Sequence, residues 1–221
     1  MVGDLKSVNR PKTLKQMAYQ EIKTSILNGQ LVAGEVYSEG KIAKALNISR
    51  TPVREAFLDL QRDGLVGALP QRGMIIRKVS QGVRDEVFLL RRTIEAMIIE
   101  QLPGKIGLHD LSRLRGILAG QQEAIEQEDM VKFLDYDEEF HLTLAELTGY
   151  HRVREILVNL RDLTRLMGMS TLQWPGRMEL VLTEHKAVFQ ALSERDFAAA
   201  KKAMIVHLTN TERSLSEPES S

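Results

Sequence analysis

Two short amphipathic segments separated by three residues constrain this chain more than any other feature. Residues 39–46, "EGKIAKAL", place Ile42, Ala43 and Leu46 on one side, and Ser38 stands where it can cap a helix. After Asn47–Ser49 comes "RTPVREAFLDLQRDG", with Val53, Phe57 and Leu60 as a second apolar stripe. Ser49 is a natural N-cap, Pro52 falls in the first turn, where a missing N–H is tolerated, and Gly64 ends the segment. An earlier segment, 14–28, carries Leu14, Met17, Ile22 and Ile26 near helical spacing and stops at Gly29. Beyond Gly64, "LVGALPQRGMIIRKV" reads as two strands, Leu65–Leu69 and Met74–Val79, around a Pro-Gln-Arg-Gly turn. Helix, tight turn, helix and hairpin together predict a winged helix-turn-helix over residues 12–79.

In such a fold the first turn of the second helix meets the major groove of DNA. Arg50 and Arg54 lie one turn apart there, opposite the apolar stripe. Arginine's planar fork takes both acceptors of a guanine edge, which a lysine point charge cannot. Thr51 can add a phosphate or base contact, and Lys41, Lys44 and Arg72 can reach backbone or minor groove. Either arginine alone is as easily a solubilising surface group; the combination is what is specific. Charge agrees. The chain is neutral overall, yet residues 1–79 hold 13 Lys and Arg against 7 Asp and Glu, leaving 17 against 23 for the rest, so the two parts carry +6 and −6.

The run "YSEGKIAKALNISRTPVREAFLDLQRDGLVGALPQRGMII" resembles the N-terminal domain of the GntR family of bacterial transcription regulators. The resemblance implies DNA contacts at Ser49, Arg50, Thr51 and Arg54, with Arg72 and Gly73 of the wing entering the minor groove. Relatives of the fatty-acid regulator often carry an arginine where this chain has Gly40, which leaves Lys41 as the substitute contact from that helix.

After Ser80 the periodicity is helical throughout, with helices expected near 81–102, 109–128, 130–148, 151–170, 177–193 and 196–214 and a disordered tail over 215–221. The expected class is therefore mainly α: a winged helix-turn-helix joined to an all-α bundle of six or seven helices over 80–214. Absence of cysteine removes disulfides and thiolate metal sites. Without a secretory leader or a long apolar run, a cytoplasmic protein with no membrane partner is expected.

Polar residues on the inward faces of this half are its most informative feature. Asp137 and His141 sit within the stripe formed by Phe133, Leu134, Phe140 and Leu144; His185 lies among Val181, Val188 and Leu192, and His207 among Ala200, Met204 and Thr211. Burying a carboxylate unpartnered costs several kcal/mol, and one divalent ion would satisfy all four groups. An Asp–His hydrogen bond with two unrelated core histidines is the plainer alternative. His109 and His151, at helix starts, are expected at the surface. "DEEFH" followed by His185 and His207 resembles the metal-binding signature of the FCD-type C-terminal domain of GntR regulators. That implies Asp137, His141, His185 and His207 as ligands of zinc, nickel or manganese.

Arg91 falls among Val87, Ile94 and Ile98 with Glu95 one turn on. It is either an internal ion pair or, with the metal, a clamp for the carboxylate of a small organic acid, the effector class the resemblance implies; Asn159 and Thr164 are expected to line that pocket. The function expected is a metabolite-responsive transcription regulator, a repressor in sense, that binds palindromic operator DNA as a homodimer. The alternative is a metal-dependent hydrolase or lyase with a basic N-terminal module. Such an enzyme needs a free general base; none is obvious, since Glu138 is expected to face away and an internal pair with Arg91 would occupy Glu95.

Overall fold

The computed structural model describes residues 12–70, 72–168 and 176–215. The chain divides into two compact units, Met1–Lys78 and Val79–Ser221.

In the first unit, α1 (Leu14–Leu27) opens on a reciprocal cap: the Thr13 hydroxyl accepts from the Gln16 N–H, and the Gln16 side chain accepts from that of Thr13. Its buried stripe is Ala18, Ile22 and Ile26; Leu14 and Met17, expected inward, are exposed. Ser38 caps α2 (Glu39–Ala45) through a bond from Lys41 N–H, and Asn47 takes the turn with a φ of 53°. Helix α3 (Arg50–Arg62) buries Pro52, Val53, Ala56, Phe57 and Leu60 against α1 and α2. Ser49 stands at its N-cap with extended backbone, but its hydroxyl makes no capping bond.

The wing pairs β2 (Val66–Leu69) antiparallel with β3 (Gly73–Ile76), from Val66 opposite Ile76 to Leu69 opposite Gly73. A strand that the periodicity does not reveal, β1 (Val36–Tyr37), pairs with the other edge of β3, Val36 opposite Ile75 and Tyr37 opposite Met74. The sheet order is β1-β3-β2, and β3 stops at Ile76, short of the expected Val79. Gly73 is obligatory: its φ is 116°, and a Cβ there would lie 2.2 Å from the Tyr37 carbonyl oxygen.

The second unit is helical among its described residues: α4 (Gln81–Glu100), α5 (Leu108–Glu126), α6 (Met130–Leu147), α7 (His151–Gly168), α8 (Arg177–Ser193) and α9 (Phe197–Ser214). Side chains of Ser80, Asp129 and Asp196 cap α4, α6 and α9. The expected end of α7 at 170, most of the "QWPG" break and all but the first residue of the 215–221 tail lie outside the described residues. Helix α4 packs on α6, α7 and α9, while α5 packs on α6 and α8, and α8 on α9. Ile98, Leu114, Phe140, Leu144, Leu157, Val188, Leu192, Met204 and Leu208 form the core; each such burial contributes about 1.5–3 kcal/mol. The close approach of α5 and α6 rests on Gly120, where a Cβ would stand 2.3–2.6 Å from the Tyr136 ring.

Candidate functional site

In the first unit, Arg50 is the first residue of α3, with Thr51 and Arg54 exposed on the same turn and a half. A groove of about 510 Å³ runs between α3 and the wing, lined by Glu39, Gly40, Arg50, Arg54, Arg72 and Gly73 among others. Lys41, Lys44 and Ser49 are exposed but lie outside its lining. Arg54 does not stand alone: its Nε and Nη2 donate to the Glu39 carboxylate at 3.0–3.2 Å. Arg50 lies over Gly40, its Nη2 3.2 Å from where a Cβ there would be. Sequence reasoning missed Glu39, because its partner comes from a different helix fifteen residues on.

In the second unit the four inward groups meet. His185 Nε2 lies 3.2 Å from His141 Nε2, 3.3 Å from His207 Nε2 and 3.5 Å from Asp137 Oδ1; one ligating atom from each of the four falls within 4.8 Å of the others. All three histidines are buried. Every Nδ1 points outward to an acceptor: that of His141 to Glu95 Oε2, that of His185 to Gln121 Oε1 at 2.9 Å, and that of His207 to Glu184 Oε2 at 2.8 Å. With Nδ1 carrying the proton in each ring, three Nε2 lone pairs and a carboxylate oxygen converge with no donor among them. That arrangement is repulsive unless a cation sits between them, and fixing ligand tautomers by an outer ring of acceptors is how proteins orient histidine on metals. Nitrogen and oxygen donors without sulfur suit zinc, nickel or manganese.

Electrostatics points the same way. Burial holds His141 and His185 well below the ordinary imidazole range, reinforced by Arg161 for the first and His207 for the second. Burial pushes the Asp137 carboxyl up, but Arg161, whose Nη2 donates to Asp137 Oδ2, and then the imidazoles outweigh it and hold the group well below its usual value.

A cavity of about 50 Å³ adjoins Asp137 and His207, enough for one or two waters or a compact group. Arg91, Arg161, Thr164, Arg165, Arg177 and Glu138 also line it. Arg91 donates through Nε to Glu95 at 2.8 Å and through Nη1 to Thr164 at 3.4 Å, so the Arg91–Glu95 pair is present. Yet Nη2 of Arg91 and Nε and Nη1 of Arg161 are buried without a partner among the described residues. Asn159 is exposed on α7 and does not line the cavity, and Glu138, expected to face away, is half-buried at its edge. His109 and His151 are exposed.

Arg161 and Arg165 follow Leu157 at four-residue spacing, and Gln121 follows Ile117 in the same way; that wheel position is the signal which marks all three as inward.

A winged helix-turn-helix with an arginine-bearing recognition helix, joined to a bundle that encloses a histidine–carboxylate cluster, defines a ligand-responsive DNA-binding protein. Comparison with known proteins makes this specific. Residues 14–76 match "Bacterial regulatory proteins, gntR family" and residues 86–210 match the FCD domain, so the chain belongs to the GntR family of transcription regulators, in its FCD-containing branch. It is 30% identical to the HTH-type transcriptional repressor RspR of Escherichia coli (strain K12) over 212 residues, 94% of this chain and 91% of that protein. Against the gluconate operon transcriptional repressor of Bacillus subtilis (strain 168) the identity is 25%, over 87% of this chain and 81% of that one. Escherichia coli McbR/YncC has the same fold, with a TM-score of 0.84 at 20% identity over 93% of this chain and 98% of that one. A putative GntR regulator from Rhodococcus sp. RHA1 superimposes with a TM-score of 0.82 at 26% identity, over 91% and 96%. Members of this family are regulators, not enzymes, and the hydrolase or lyase alternative has no support. No helix among the described residues is long and apolar enough to cross a membrane.

Proposed function

We propose that the protein is a metabolite-responsive repressor that binds a palindromic operator as a homodimer and is controlled by a small organic acid held in its helical bundle. The observation that carries this reading is the set of guanidinium N–H groups of Arg91 and Arg161 that are unpartnered among the described residues, beside the convergent Asp137, His141, His185 and His207. Buried donors of that kind call for an anion. Asp137, His141, His185 and His207 would hold one divalent ion, which would supply Lewis acidity toward a carboxylate. Arg91 and Arg161 orient that carboxylate, Thr164 bounds it, and the small cavity limits the acid to a compact one. The repressor sense draws on the names of the two curated relatives, one of which controls a gluconate operon.

Metal analysis of the full-length protein is the test. The wild type, purified without chelator, is expected to carry one equivalent of metal, and His185→Ala and His207→Ala to lose it. Titration of a panel of compact hydroxy and keto acids should release the wild type, but not these variants, from its promoter DNA. Full metal retention in both variants would reduce the cluster to a structural polar network.

A further inference from the structure

The groove of the first unit contains one carboxylate whose role the DNA-binding reading leaves unassigned. Glu39, the first residue of α2, is anchored by the Ser38 cap and only half-exposed, so its position is fixed before any DNA arrives. It grips Arg54 in a defined way: Nε to both carboxylate oxygens at 3.0 and 3.2 Å, and Nη2 to Oε2 at 3.0 Å. These bonds occupy the side-on fork of the guanidinium. The end-on fork, formed by Nη1–H and the second Nη2–H, has no partner among the described residues, and Arg54 remains largely exposed at the groove. An end-on fork is sufficient to take O6 and N7 of a guanine. The same turn of α2 carries Gly40, whose missing side chain leaves room for the Arg50 guanidinium.

We infer that Glu39 is a specificity-determining positioning residue: by holding the side-on fork of Arg54 it aims the end-on fork at a base edge and keeps the arginine from a phosphate. A free arginine on an exposed helix turn sweeps many rotamers and pairs with whichever phosphate is nearest, which gives affinity without sequence information. Held by Glu39, Arg54 loses less freedom on meeting the correct base, and reaching a phosphate requires breaking a bidentate ion pair. Both effects favour the correct sequence over random DNA.

The experiment uses the full-length protein and a duplex that the wild type selects from a randomised library, beside a scrambled duplex of equal length, both at fixed salt. Glu39→Gln is expected to bind scrambled DNA as tightly as the wild type or more so, while the selected-to-scrambled affinity ratio falls about tenfold, the scale of one lost base contact. Arg54→Ala should lose a similar factor, and adding Glu39→Gln to Arg54→Ala should change the ratio no further. A ratio unchanged in Glu39→Gln, a ratio that falls again on the Arg54→Ala background, or equal weakening on both duplexes would each overturn the inference. Retention of the ratio by Arg54→Ala would overturn it together with the base-reading role of Arg54.

Discussion

His141 and His185 are neutral in the folded protein because burial, more than any neighbour, keeps protons off them. Their unfolded counterparts take a proton near pH 6.5. Below that value the unfolded chain binds more protons than the folded one, so stability is fully present above about pH 6.5 and is lost as the pH falls, by about 1.4 kcal/mol per pH unit for each group. Asp137, depressed as it is, adds loss of the same sign below about pH 4. Chelator-treated protein should therefore keep a constant Tm from pH 8 to about 7 and lose Tm steadily toward pH 5.5. A Tm that stays flat over that range would mean the imidazoles charge inside the bundle. Metal added back should raise Tm at pH 7.5 and still raise it near pH 5.5, because burial keeps His141 and His185 of the folded protein unprotonated and free to ligate. Helical periodicity alone brings Asp137, His141, His185 and His207 inward, so the four-residue cluster is legible in the sequence. Glu95, Gln121 and Glu184 are not legible as its outer ring. Whether an inward side chain meets a particular histidine depends on which helices face each other, and no single helix encodes that.

At the scale of elements, close approach depends on a few glycines. At Gly120 a methyl group would overlap the Tyr136 ring, and α5 and α6 would have to part. Gly120→Ala is expected to cost about 1–3 kcal/mol, as overpacking in a tight interior does; denaturant unfolding measures it. The partner substitution Tyr136→Ala should relieve the clash, so the double variant should lose less than the two single losses added together. Additive losses would show that α5 and α6 yield without strain. Helices of the bundle show in the sequence because each carries seventeen or more residues of 3.6-residue periodicity. Strand β1 does not show. Two residues have no period, and Val36–Tyr37 is a strand only because β3 offers an open edge. Ser49 fails differently: its type suits an N-cap, but whether the hydroxyl turns to the helix is decided by local geometry that composition does not carry.

For the whole molecule, the division into +6 and −6 parts coincides closely with its two compact units. If the basic unit neutralises several phosphates, log affinity for DNA should fall linearly and steeply with log salt, and Lys44→Ala should reduce the slope by about one. Fluorescence anisotropy from about 50 to 200 mM salt measures this; an affinity indifferent to salt would remove the electrostatic reading of that unit.

The smallest element has the longest reach. Because Tyr37 is paired with Met74 and its carbonyl crowds Gly73, the chain leading into α2 is riveted to the hairpin at the residue before Ser38. If that clasp stays closed when DNA enters, the gap between α3 and the wing would act as a caliper with a locked jaw, measuring a duplex instead of moulding to it. DNA that already has the matching contour, or bends to it at little cost, would then be favoured even at steps no side chain touches.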